Sequence, residues 1–322
     1  MRGPAVAATV IPLMLIGAIA AHSQSTTAPI AGSTELAPAV SRPQAPGPEL
    51  LSASETHGEL KQVAIEAALA LTSYDPAETP RDIAARLGFD GDDEALASAQ
   101  ALYHAQSSSR SSIVYAQLAG ILSDRAAVMV VTEQEIGTAR GMRIETRTLD
   151  VRLRFEAGQW WFDHLASAGG EPVSMPEHLP PEVVAVLDNP RIELPDSARW
   201  DILAGRVSPD LLRLLARTAE QVPIGITVTA TGHPWEIFGT DRQSDHSRGL
   251  AADIYRINTT RVIDDRAVDS TTHRLVNWLY AQPELARMGS PWALDGFGGR
   301  SFTDALHQDH LHLAVYQPGT EH

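Results

Sequence analysis

Two short runs constrain the fold more than anything else in the chain. Residues 249–254, GLAADI, and 310–315, HLHLAV, alternate with a period of two, the period of a strand, whose successive side chains leave opposite faces. In the second run Leu311, Leu313 and Val315 share one face, while His310, His312 and Ala314 share the other. In the first, Leu250, Ala252 and Ile254 face one way, and Ala251 and Asp253 face the other. The pattern predicts two strands of a core sheet with helices under the leucine face, so that one carboxylate and two imidazoles arrive on the open face. Such groups are costly to bury unless something pairs with them.

If those strands are neighbours, and His246 hangs from the loop before the first, the four groups converge on one point. The chain contains no cysteine, so a metal here is held by nitrogen and oxygen ligands alone. Two neutral imidazoles and one carboxylate, with a fourth position left to water, form the ligand set of a catalytic zinc site. A metal ion is therefore the expected partner.

The pattern Ser244-x-His246-x-x-Gly249-x-Ala251-x-Asp253, followed by His312 in a His-x-His pair, resembles the zinc peptidases that group D-alanyl-D-alanine carboxypeptidases with lysostaphin-type and murein endopeptidases. The resemblance covers residues 195–318. It implies zinc bound by His246, Asp253 and His312, with peptidoglycan stem peptides or cross-links as substrate, on a small antiparallel sheet flanked by helices. For the base it implies either His310, the first histidine of the pair, or Asp309, which stands where the carboxypeptidase branch carries a longer glutamate. Strand geometry points Asp309 away from His312 and favours His310. His307 completes a His-x-x-His-x-His run similar to that of the murein endopeptidases, and either orients water or ligand or caps its own loop. Carboxypeptidases of the group carry an upstream arginine that grips the substrate's terminal carboxylate, whereas the corresponding stretch here, TATGHPWEIFG, has His233 instead. Arg242 is the candidate replacement, against the ordinary reading of a solvated loop charge. His233 either hydrogen-bonds near the metal or stabilises its turn, and Ser244 joins this outer set. Two functions suit these residues: a zinc peptidase acting on cell-wall peptides, or a zinc-bearing module that binds a wall or protein ligand without turnover.

The rest of the chain frames that domain. A formal charge of -15 from 25 basic and 40 acidic residues repels phosphate backbones and anionic headgroups, which excludes nucleic acid as the expected partner. Arg2 precedes the uncharged run Ala5 to Ala21, which ends in small residues and reads as a signal peptide or short anchor over residues 1–23. Either one delivers the chain to the cell envelope or beyond. A Pro-, Ala- and Ser-rich tether spans 24–55. From 56 to 168 the sequence predicts helices at ELKQVAIEAALALTSY, from Pro80 to Gly88, and from Glu94 to Ala105. Strands follow at RAAVMVVTEQEIG, RIETRTLDVRLRFEAGQ and WWFDHLASAG, the middle one alternating Val151, Leu153 and Phe155 with Arg152 and Arg154. That order resembles NTF2-like domains and shows no acid, base and nucleophile of its own, so a docking or dimerising role is expected of it. A Pro-rich linker, 169–194, separates the two units, and the expected class is α+β with two domains.

Overall fold

The computed structural model describes residues 51–90, 93–296, 298–317 and 319. The stretch read as leader, and the tether up to residue 50, lie outside the described residues, as does Phe297. Among the described residues no helix is long and apolar enough to cross a membrane.

The chain is a mixed α+β protein built on two sheets, each with its own apolar core. Helix α1 (Gly58–Thr72) buries Leu60, Ala64, Ala67, Ala68 and Leu71, the spacing of one helical face. Helix α2 (Pro80–Arg86) starts where Thr79 and Asp82 form a capping box around Pro80 at the first turn. The third predicted helix is instead a 3-10 helix, Glu94–Leu102, capped by Asp93. A four-stranded antiparallel meander follows: β1 (Ser108–Ile121), β2 (Arg125–Thr138), β3 (Gly141–Glu156) and β4 (Gln159–Ser167). Strand β1 is absent from the sequence reading. A register shift between Ile113 and Tyr115, as at a β-bulge, interrupts its alternation and hides the period of two. Past that shift Ala116 and Leu118 enter the first core, while Tyr115 and Gln117 face the other half of the chain. In β3 Val151 and Leu153 are buried as expected, but Phe155 is 42% exposed, because it lies beside the turn of the β3–β4 hairpin, against Trp160.

The segment read as linker carries structure of its own. Helix α3 (Pro181–Leu187) begins on a proline at its first turn, and β5 (Ile192–Glu193) pairs parallel with a later strand. Next come α4 (Asp196–Leu203), α5 (Pro209–Gln221), β6 (Ile224–Val228), β7 (Ala251–Ile257) and β8 (Thr260–Arg261). The rest is α6 (Thr271–Tyr280), β9 (Leu285–Gly289), β10 (Ser301–Phe302) and β11 (Leu311–Val315). Ser208 caps α5, whose Leu211, Leu212, Leu215 and Ala219 form a buried apolar stripe. The second sheet runs β10-β9-β11-β7-β6-β5, parallel at its two edge pairs and antiparallel between, with β8 beside β7. Leu311, Leu313, Val315, Leu250, Ala252 and Ile254 all enter the second core.

The halves are joined by buried hydrogen bonds. Thr148 on β3 donates its hydroxyl to Thr227 O at 2.6 Å, and its N–H donates to Ser197 Oγ at 3.0 Å. Arg147, 2% exposed, donates to Ala168 O and Gly170 O and lies over the Trp200 ring.

Candidate metal centre

Strands β7 and β11 are neighbours, antiparallel, in a register that sets His312 opposite Asp253. Residues so paired place their side chains on the same face about 4.5–5.5 Å apart at Cβ. His246 comes from the loop before β7, where a turn closes with Gly249 N–H donating to His246 O at 2.8 Å. Gly249 has φ +69, and a Cβ there would lie 1.8 Å from Arg206 O, so only glycine lets the loop press against the start of α5. Gly249→Ala is expected to cost about 3 kcal/mol or more, from left-handed strain plus a backbone clash that no rotamer relieves. Urea denaturation checks this, and a loss below about 1 kcal/mol would show the loop to be free to shift.

The metal-facing atoms are close. His246 Nε2 lies 3.1 Å from Asp253 Oδ1 and 3.1 Å from His312 Nδ1, and His312 Nδ1 lies 3.0 Å from Asp253 Oδ1. His246 Nδ1 sits 2.5 Å from Thr229 O. A carbonyl only accepts, so Nδ1 carries the proton and Nε2 presents a lone pair. A lone pair and a carboxylate oxygen at such a distance repel unless a cation or a shared proton lies between them. Ligand atoms about 2.0–2.1 Å from a tetrahedral zinc stand about 3.3 Å apart, so the observed triangle fits such an ion closely. His246 is 0% and Asp253 1% exposed. Burial works to raise the Asp253 pKa, but His246 and His310 hold it well below the usual carboxylate range. Burial likewise lowers His312 to about 4, which keeps its ring neutral and able to bind.

His233 joins this group, offering one ring nitrogen within 4.8 Å of ligand atoms of His246 and Asp253. Its ring stacks on His246 at 4.0 Å, and its Nδ1 lies 2.9 Å from Pro234 O. It thus stabilises its own turn and also borders the metal group. Burial, then His246, lowers its pKa well below the ordinary value. Ser244 Oγ accepts from His246 N–H at 3.2 Å and tightens the loop.

His310 and Asp309 sit differently from one another. The Asp309 carboxylate points away from the cleft, 0% exposed, and accepts from Lys61 Nζ at 2.6 Å and from Leu118 N–H at 3.1 Å through Oδ2. Its Oδ1 accepts from His310 Nδ1 at 2.6 Å. Burial would raise its pKa, yet Lys61 and His310 bring it to about 2. With both oxygens engaged it is placed to orient His310, not to take a proton from substrate. His310, held through Nδ1, turns Nε2 toward the centre, 3.8 Å from Asp253 Oδ2. His307 is anchored by Asp304 at 2.7 Å and packs edge-on to Phe302, close to His310 and His312. Gly289 admits it, since a Cβ there would meet the ring at 2.3 Å.

A cleft of about 860 Å³ opens over this centre, lined by His233, Ser244, Asp253, His307, His310 and His312. Arg242 and Arg287 border it, and Arg287 lies 3.7 Å from Asp245. Its opposite wall is Gln117 to Ile121 of β1, with Met129 of β2. The sequence reading missed Gln117, Lys61 and Glu55. Lys61 was detectable as a cation inside an apolar helical stripe, whereas nothing around Gln117 marked it out.

Compared with known proteins, the chain matches no family model, no curated protein and no solved structure.

Proposed function

We propose that the chain is a zinc-dependent peptidase that hydrolyses peptide bonds of peptidoglycan, acting in the cell envelope or outside the cell. The observation that carries this reading is the triangle of His246, Asp253 and His312 ligand atoms, 3.0–3.1 Å on each edge, beside the Asp309–His310 pair. The two-unit reading belongs here too: an NTF2-like unit over 56–168 beside a peptidase-like unit over 195–318.

In this reading His246, Asp253 and His312 hold zinc, with His233 next to them. Zinc held by these residues would supply Lewis-acid chemistry there, a water of lowered pKa (from about 15.7 towards roughly 7) and a polarised scissile carbonyl. His310 receives the proton at Nε2 and returns it to the leaving amine, with Asp309 fixing the ring through Nδ1. The cleft takes an extended peptide, and Arg242 on its rim is the group offered to a peptide carboxylate, since Arg287 lies 3.7 Å from Asp245. His307 borders the reacting centre and orients water or substrate.

Incubating the zinc-loaded protein with purified muropeptides, with product masses read out, tests this directly. His310→Ala is expected to retain zinc and lose about 10²- to 10⁴-fold in turnover. Unchanged turnover would remove His310 from the mechanism. Zinc binding with no cleavage by the wild-type chain would leave a binding module.

A further inference from the structure

The four-stranded sheet is the part of the chain for which the sequence suggested only docking, yet it reaches the metal group. Gln117 of β1 is fully buried and donates from Nε2 to Asp253 Oδ2 at 2.6 Å. The amide orientation is fixed, because an ionised carboxylate only accepts. Its Oε1 is left buried without a partner among the described residues. Packing alone would favour an apolar residue over a glutamine with an orphaned acceptor, so the bond to Asp253 is what the residue supplies.

We propose that Gln117 is a positioning residue for the metal centre, holding Asp253 Oδ2 so that Oδ1 alone is presented to the ion. This rests on the metal reading above. The terminal torsion of an aspartate is broad and nearly two-fold, and without a partner on Oδ2 the carboxylate is free to rotate away from His246 and His312. Such outer hydrogen bonds orient metal ligands generally. The position of Gln117 is itself pinned from both sides. Tyr115 O–H donates to Asp309 O at 3.1 Å, and Leu118 N–H donates to Asp309 Oδ2 at 3.1 Å. Strand β1 is thereby tied to the residues just before β11, and the first half of the chain becomes part of the site it covers.

The test uses the full chain and its dissociation constant for zinc, measured by competition with a chromophoric chelator. Gln117→Met keeps the volume and removes the donor, and zinc affinity is expected to fall about 10- to 100-fold. Gln134→Met is the control. Gln134 is a buried glutamine of the same sheet that donates to Leu102 O and Ser109 Oγ instead, and its variant is expected to bind zinc as the wild type does. Should Gln117→Met fail to fold, Gln117→Asn, one methylene too short to reach Asp253, is expected to show the same loss. Wild-type affinity in the Gln117 variants, or an equal loss in the Gln134 variant, overturns the inference and leaves the metal reading intact. A wild-type chain that binds no zinc overturns the metal reading itself, and the positioning role with it.

Discussion

Asp253→Asn is expected to abolish the zinc-dependent stabilisation that the proposed metal centre predicts for the wild-type chain. Binding to the folded state alone stabilises by about 4 kcal/mol when free zinc exceeds its dissociation constant 1,000-fold. For a chain of this size that corresponds to a rise of roughly 10 °C in Tm. Asparagine preserves the shape of the side chain but removes the carboxylate charge that faces His246 Nε2 and His312 Nδ1 in the triangle. The variant is expected to shift by no more than about 2 °C at the same zinc concentration, a rise that corresponds to less than 1 kcal/mol. His312→Ala should behave alike, since it removes another corner. An undiminished zinc-induced shift in both variants would mean that the ion binds elsewhere on the protein.

The second large effect is expected away from the metal. Lys61→Met removes the ammonium that bonds both Glu55 and Asp309 in a buried cluster, where the side-chain exposures of Lys61, Glu55 and Asp309 are 0%, 2% and 0%. Burial alone would lower the Lys61 pKa, but the two carboxylates raise it, so the ammonium stays charged. Taking one partner from a buried ion pair typically costs about 3–5 kcal/mol, because the remaining charge has neither water nor a counterion. Urea denaturation at neutral pH measures the loss, and the midpoint should fall without a change in slope. The double variant Lys61→Met with Asp309→Asn should recover part of the stability, since it removes one of the two stranded carboxylate charges. A single variant within 1 kcal/mol of wild type would show that water reaches the cluster. Because Asp309 also holds His310, the same substitution couples the α1 helix to the candidate base.

Much of the second sheet was legible. Period-two runs determine which residues share a face, whereas the close approach that requires glycine at 249 appears only in the structure. What sequence patterns handled poorly was irregular geometry. A register shift at Ile113 and Tyr115 erased the alternation of β1, and a helical pattern over residues 94–102 became a 3-10 helix. The proline-rich stretch hid α3, because proline breaks a helix in its interior yet is well suited to its first turn, where Pro181 stands.

The sequence by itself determined the faces of β7 and β11 and the start of α2 at Pro80, and it supplied the two imidazoles and the carboxylate. Each follows from spacing within one segment, where covalent geometry fixes which side chains are neighbours. Only the tertiary structure decided that Asp309 turns towards Lys61, that His233 stacks on His246, and that Gln117 holds Asp253 from the other sheet. Those contacts join residues up to 248 positions apart, and no local period encodes them. They exist because the two cores bring β1 and the start of β11 together, and buried polar atoms there must find partners across that boundary.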